Sequence, residues 1–406
     1  MARLEDYHWI EDREGLERLA ASLAGRSEFD LDSESNSGFA YEERLCLLQI
    51  NDGENLCLVD LLALPGDRLA LEPLRPVLES NQHEIRLHGG EFDVGCLKRD
   101  YGISLRGVWD SQQAASFLGW EKTGFGSVVE RICGVSLPKA HAHHDWSRRP
   151  IEGEVLEYAL NDVRYLPEIS ARLKALVRAA ELEEEVAIAC RAVEESIWNG
   201  GFELTAVWSI KGARQLSKAA MPILVALYQW REGIAKQLDL PAGRTIHNQL
   251  LLALSRSAPA SLSDLRRLGV PRRVTKRWAG DLLVLIAEAK RNPPPVPRQP
   301  VRESLSREAQ QRGERLRKWR RQESARQGVP LQVVLPMVAL KYIQRHGADD
   351  LSAVPQFGQK RIRLHGEILR QLVGLEGREK GDSQAAHDRR HAGEKTDDKD
   401  RRQSQQ

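Results

Sequence analysis

Five residues of this chain have the types and spacing for shared chemistry. They are Asp32 and Glu34 in FDLDSES, Asp93 in RLHGGEFDVGCL, and Tyr158 and Asp162 in EYALNDVRYL. Positions i and i+2 of a strand project from one face, so Asp32 and Glu34 should stand side by side at a strand end. Two carboxylates so placed repel and raise each other's pKa unless something positive lies between them. A hard divalent cation with oxygen ligands, Mg²⁺ or Mn²⁺, is the natural occupant. Asp93 follows His88-Gly89-Gly90, which predicts a place in the first turn of a helix, where the helix dipole favours a carboxylate whether or not it binds anything. Tyr158 and Asp162 are i and i+4 on a predicted helix that also carries Leu156, Leu160 and Leu166, so hydroxyl and carboxylate share a face. Each fragment alone has a plainer reading: a polar strand end, a capping-region acid, a helix with a partly buried tyrosine and a solvated aspartate. Together they describe a carboxylate cage for two divalent metal ions, suited to attack by water on a phosphodiester.

The elements that must position these residues are legible as a mixed α/β pattern. Short apolar runs at Glu28–Asp32, Arg44–Ile50 and Glu54–Leu61 predict strands, the last two forming a hairpin with Asn51-Asp52-Gly53 at its turn. A helix over Leu69–Glu79 and a strand over Glu84–His88 come next. Helices are then expected at Asp93–Tyr101, Ser111–Leu118 and Ser127–Cys133, with a long one beginning near Glu152. Beyond about residue 205 no strand is predicted. Met221–Leu238 and Leu282–Ala289 have apolar helical patterns, and Asn292–Pro300 (NPPPVPRQP) reads as a stiff linker.

Part of the helical region is repeated. Leu227, Trp230 and Arg231 recur as Leu316, Trp319 and Arg320, at an offset of 89 residues. The same offset carries Pro241 onto Pro330, Leu262-Ser263 onto Leu351-Ser352, Gly269 onto Gly358 and Arg272 onto Arg361. The period is too long for a solenoid unit and predicts two copies of a small helical domain. The expected organisation is an α/β domain over 1–204, a helical domain over 215–291, a proline-rich linker over 292–307, a second helical domain over 308–376 and a disordered tail over 377–406. Trp230 and Trp319, at matching positions, are expected in the helical cores.

Bulk composition narrows the class. The chain has 406 residues, 41% of them hydrophobic and 29% charged, as expected of a soluble multidomain protein. The formal net charge of +2 does not by itself announce nucleic-acid binding, so such a surface must come from uneven charge distribution. The acidic N-terminus lacks the apolar stretch of a signal peptide, and no run approaches the roughly 18 apolar residues of a membrane span. The five cysteines form no CxxC and lie in apolar runs, which predicts reduced core residues and a cytoplasmic location.

In this order, the acidic motifs and the tyrosine resemble the DEDD superfamily of 3′–5′ exonucleases in its tyrosine-bearing branch, and within it the ribonuclease D family. The stretch HDWSRRPIEGEVLEYALNDVRYL matches the family's DW-S-x-R-P segment and the YxxxD helix after it, and RLCLLQI looks like its second strand. The helical unit ALYQWREGIAKQLDLPAGRTIHNQLLLALSRSAPASLSDLRRL resembles the helicase-and-RNase-D C-terminal (HRDC) domain, with a weaker second copy. The resemblance implies an RNase H-like mixed-sheet exonuclease domain followed by two all-α HRDC-like domains. It makes Asp32, Glu34, Asp93 and Asp162 metal ligands and gives Tyr158 the task of orienting the attacking water, a hydroxyl with pKa near 10 being a poor base at neutral pH. The reaction implied is two-metal hydrolysis of a terminal phosphodiester, with Mg²⁺ or Mn²⁺ ions about 3.5–4 Å apart. The implied partner is RNA, transfer-RNA precursors above all; the chain is expected to act as a monomer with no membrane association.

The chain departs from the family after Glu34, where Ser35-Asn36-Ser37 replaces the usual aromatic residue that packs the terminal base. His141, His143 and His144 cluster in KAHAHHDW, yet no spacing there builds a closed tetrahedral zinc site, and a solvated or phosphate-facing loop is expected. Basic residues that could meet RNA phosphates are Arg148, Arg149, Arg272, Arg273, Lys276 and Arg277, with further clusters at Arg266-Arg267 and from Arg315 to Arg321. Two other functions use the same features: a 3′–5′ DNA exonuclease, since nothing in the chain reads a 2′-hydroxyl, and a non-catalytic RNA-binding scaffold, against which all five motif residues stand intact.

Overall fold

A computed structural model describes residues 7–138, 144–300 and 304–374. Six strands, β1 Tyr7–Ile10, β2 Glu28–Ser35, β3 Leu45–Asn51, β4 Leu56–Asp60, β5 Glu84–Leu87 and β6 Val108–Asp110, form one sheet in the order β1-β4-β3-β2-β5-β6. The β2-β3-β4 meander is antiparallel, while β1 runs parallel to β4 and β5 parallel to β2. All residues of β3 and β4 are buried, as central strands covered on both faces should be. The turn between them is built as its residues suggest: Gly53 takes φ 92°, and Asp52 Oδ1 accepts from the backbone N–H groups of Glu54 and Asn55.

The predicted mixed α/β architecture is present, with local differences that have physical causes. β2 continues to Ser35, three residues past the expected strand, and Asp32 and Glu34 lie in its last four residues. The short strands β1 and β6 carry too few residues to show a period, and neither was expected. The helix expected over Leu69–Glu79 shrinks to a 3₁₀ turn, Glu72–Leu74, and one α-turn, Arg75–Leu78, because Pro73 and Pro76 remove backbone donors. The long helix from near Glu152 is two, Gly153–Arg164 and Leu166–Ala179. Pro167 has no N–H to offer the Val163 carbonyl, and Asn51 Nδ2 donates to that carbonyl at 3.2 Å.

The chain separates into two compact units. The first comprises residues 1–107, 137–167 and 194–302, which hold β1–β5, the Gly153–Arg164 helix and the first helical repeat. The second comprises 108–136, 168–193 and 303–406. Within the second, Gln332 Nε2 donates to the Ser116 carbonyl at 2.9 Å, and the Lys360 N–H donates to Glu184, which ties the second repeat to neighbouring helices.

The two repeats fold alike. The helices Ala242–Thr245 and Asn248–Ser257 of the first copy are matched at the same offset of 89 residues by Leu331–Val334 and Met337–His346. Leu262–Arg267, a helix in the first copy, has no helical counterpart among the described residues of the second. Each copy has its own apolar core, with Trp230 and Trp319 packed against them as expected. Arg231 and Arg320 are both buried and both donate to a backbone carbonyl, of Ile246 and Leu331. The helix predicted at Leu282–Ala289 is the end of a longer one, Arg272–Arg291, with non-helical backbone at Trp278.

None of the five cysteines is in a disulfide, and four of them are buried. Among the described residues no helix is long and apolar enough to cross a membrane. The expected tail over 377–406 lies outside the described residues.

Candidate metal centre

β2 carries an acid at every second position: Glu28, Asp30, Asp32 and Glu34. Alternation puts all four on one face, an arrangement no strand tolerates without compensation. Compensation for the first two comes from Arg86, across the parallel β2–β5 pair in register with Asp30. Its guanidinium grips Asp30 through Nε at 2.7 Å and Nη2 at 3.0 Å, and reaches Glu28 at 2.7 Å. The row is thereby divided: Glu28 and Asp30 share the Arg86 cation, and Asp32 and Glu34 have no such partner among the described residues.

The Gly153–Arg164 helix packs on β2, β3 and β4 and supplies the third carboxylate. Asp32, Glu34 and Asp162 each present an oxygen within 4.8 Å of the other two. Among the described residues none of the three is ion-paired with a lysine, arginine or histidine. Asp93, buried in the first turn of the Glu91–Tyr101 helix, receives the hydroxyl of Ser33, the residue between the two strand acids. It falls outside the three-carboxylate group, but its charge reaches all three members.

The electrostatics are those of a site designed around missing positive charge. Burial, reinforced by Asp93, Asp162 and Glu34, pushes Asp32 well above the usual carboxylate range. Burial and then Asp162 and Asp93 do the same to Glu34. Asp162 rises to about 8, from burial first and Asp93 second. Such a cluster of hard oxygen donors fits divalent metal ions, whose charge would reverse these shifts. Tyr158, one turn before Asp162, is also raised, by burial and then by Asp162, Glu34 and Asp32. Its hydroxyl therefore keeps its proton at neutral pH. Its ring lies 6.0 Å from that of Trp146.

The other expected contacts divide. Arg149 donates to Asp60 through Nε at 2.7 Å and to the carbonyls of Trp146 and Cys46 at 2.8 and 3.0 Å. Those bonds fasten the segment before the Gly153–Arg164 helix to the end of β4, a structural use that the sequence did not suggest. Arg148 is exposed, with Asp145 at 3.3 Å. Arg272, Arg273, Lys276 and Arg277 are exposed on the first turns of the Arg272–Arg291 helix, where Arg277 lies over the Trp278 ring at 4.7 Å and Arg273 donates to the Arg244 carbonyl. His141 and His143 lie outside the described residues, and the His144 ring meets Trp146 edge-on at 5.2 Å.

Ser35-Asn36-Ser37 folds the loop after β2. The N–H of Arg44 donates to Asn36 Oδ1 at 2.8 Å, and Asn36 N donates to the Arg44 carbonyl at 3.2 Å. The loop's aromatic residues come later and turn to the first helical repeat: Arg244 lies 4.7 Å from the Phe39 ring, and Tyr41 bonds to Glu232. Sequence reasoning missed Arg86, Ser33 and Gln49, which lies directly across from Asp32 on β3. The alternating acids of EFDLDSE were the available signal for a cation such as Arg86.

Residues 7–178 match a family model described as a 3′–5′ exonuclease, and residues 221–286 and 309–373 each match the HRDC domain. The chain is similar to ribonuclease D of Shewanella sp. strain ANA-3, with 31% identity over 299 residues that cover 72% of this chain and 75% of the relative. It is also similar to the RRP6-like 2 protein of Arabidopsis thaliana, 27% identical over 275 residues, which take up 64% of this chain and only 31% of that longer protein. Among solved structures, Escherichia coli RNase D shares the fold with a TM-score of 0.68 at 24% identity, over 91% of this chain and 99% of the other.

Proposed function

The chain belongs to the ribonuclease D family of 3′–5′ exoribonucleases, and from that premise we propose that it trims RNA 3′ ends hydrolytically at the centre formed by Asp32, Glu34, Asp93 and Asp162. The observation that carries this reading is the convergence of three unpaired carboxylates from β2 and the facing helix. Asp32, Glu34 and Asp162 would hold divalent cations, two Mg²⁺ or Mn²⁺ ions in all, with Asp93 completing the donor set. Such ions, when bound, supply Lewis acidity and lower the pKa of a coordinated water.

The chain's own residues do the rest. Arg86 offsets part of the charge of Glu28 and Asp30, which leaves Asp32 and Glu34 as the uncompensated end of the row. Ser33 holds the Asp93 carboxyl in place. Tyr158, protonated at working pH, is suited to orient a water by hydrogen bonding and unsuited to abstract its proton. Arg148 and the exposed group Arg272, Arg273, Lys276 and Arg277 are candidates for contacts to RNA phosphates, which give affinity without reading sequence. Separate apolar cores support treating 215–291 and 308–376 as two helical domains after a nuclease domain over 1–204. The substrate proposed is a transfer-RNA precursor, acted on by a cytoplasmic monomer.

The test is a cleavage assay on 5′-labelled and 3′-labelled RNA, with EDTA or with Mg²⁺ or Mn²⁺, beside a DNA strand of the same sequence. The expected result is metal-dependent loss of single nucleotides from the 3′ end, faster on RNA. Asp32→Ala should abolish cleavage and leave RNA binding largely in place. Cleavage that survives in this variant, or in EDTA, overturns the assignment.

A further inference from the structure

Gln49 is 0% exposed, and neither its amide nitrogen nor its amide oxygen has a hydrogen-bond partner. A carboxamide stripped of water on both atoms destabilises the fold, so a glutamine at such a place calls for a compensating role. Its register supplies one. Gln49 on β3 pairs with Asp32 on β2. Directly opposed residues of an antiparallel pair project from the same face with Cβ atoms about 4.5–5.5 Å apart. Gln49 therefore sits beside Asp32 on the acidic face, beneath the helix that carries Tyr158 and Asp162.

Its neighbours in the row have other work. Asn51, two residues along the same face, donates to the Val163 carbonyl at 3.2 Å and accepts from the Gly53 N–H at 3.0 Å. Leu47, two residues the other way and opposite Glu34, is apolar. Gln49 is thus the amide of β3 that faces the cage without a structural task.

Resting on the metal-nuclease reading above, we infer that Gln49 is a positioning residue for the metal centre, its amide N–H orienting the Asp32 carboxylate when cations are bound. Metal-ligating carboxylates are themselves commonly held by hydrogen bonds, and loss of such a partner typically weakens metal affinity by about 10–100-fold. The amide is kept at the expense of the metal-free fold because it serves the loaded one.

The test compares the full chain with Gln49→Met, which keeps the volume and removes the amide. Mn²⁺ binding is followed by electron paramagnetic resonance, and thermal melting is measured in EDTA and in Mn²⁺. The variant should melt at or above the parent in EDTA, bind Mn²⁺ roughly 10-fold or more weakly, and gain less from added Mn²⁺. Unchanged Mn²⁺ affinity in Gln49→Met overturns the inference, as does melting well below the parent in EDTA, which would make the amide a packing group. A parent protein that binds no Mn²⁺ would instead overturn the metal-nuclease reading itself.

Discussion

Asn51 Nδ2 donates to the Val163 carbonyl at 3.2 Å, and Pro167 is the reason that carbonyl is open. In an uninterrupted helix the N–H of residue 167 would bond back to residue 163, and proline has none to give. A side chain from β3 takes its place and pins the helix of Tyr158 and Asp162 to the sheet that carries Asp32 and Glu34. A side-chain amide thus links the strand next to Asp32 and Glu34 with the helix that carries Asp162.

Replacing Asn51 with alanine should leave the Val163 carbonyl buried without a donor and cost about 1–3 kcal/mol of stability in urea denaturation. The loss should shrink in a Pro167→Ala background, where residue 167 regains an N–H. Purely additive effects in the double-mutant cycle would mean that the two residues do not share that carbonyl.

The raised carboxyl pKa values set a pH dependence for the metal-free protein. Asp162 has its folded pKa near 8 against an ordinary value of 3.8, so the folded state holds the proton more tightly than the unfolded one. Stability from this source is fully present below about pH 4 and is lost as pH rises through about 8. In EDTA the melting temperature should therefore fall over this window more steeply in the parent than in Asp162→Asn. Saturating Mn²⁺ should raise the melting temperature more at pH 8 than at pH 5, because cation binding competes with those protons. A parent and variant with parallel pH profiles in EDTA would contradict the electrostatic account.

Much of this arrangement was legible in the sequence because it depends on short-range periodicity. The i, i+2 acids of β2, the i, i+4 pair Tyr158 and Asp162, and the helix after His88-Gly89-Gly90 are local patterns, and all formed. The 89-residue repeat was equally visible, down to the buried arginines Arg231 and Arg320. What escaped depends on strand neighbours that only folding creates. The pairing of Arg86 with Asp30 needs the parallel β2–β5 register, and the place of Gln49 needs the antiparallel β2–β3 register. The partner of Arg149 was hidden for the same reason: in sequence it is one of two adjacent basic residues, and in space it pairs with Asp60.

That contrast predicts different consequences for the two adjacent arginines. Arg149→Ala leaves Asp60, which is almost fully buried, without its cation, and should lower stability by about 2 kcal/mol or more. Arg148 is largely exposed, so Arg148→Ala should change stability by less than about 0.5 kcal/mol. RNA affinity should respond in the opposite sense. Arg148→Ala should weaken it and flatten its salt dependence, as loss of one phosphate contact does. Urea denaturation and a salt titration of RNA binding separate the two; equal stability losses would count against the structural role of Arg149.

The first helical repeat holds the loop that leaves β2 just beyond Glu34. Tyr41 Oη donates to Glu232 Oε1 at 2.6 Å, the Tyr41 N–H donates to Asp239 Oδ1 at 3.0 Å, and Arg244 lies over Phe39. The bond to Glu232 also keeps the Tyr41 hydroxyl protonated, its pKa raised to about 12, so the link should persist across neutral pH. Tyr41→Phe removes a hydrogen bond to a charged acceptor on a partly exposed side chain, and should cost about 1 kcal/mol. Hydrogen exchange of residues 36–44 should quicken in that variant and in Glu232→Ala, and the double variant should be no faster than the faster single one, because both substitutions break the same bond. The catalytic readout follows from the loop's attachment to β2: kcat should fall with Mn²⁺ affinity retained, because the carboxylates stay on their strand while the chain that borders them loosens. Unchanged exchange over 36–44 in both single variants would show that the loop holds its shape without the helical repeat.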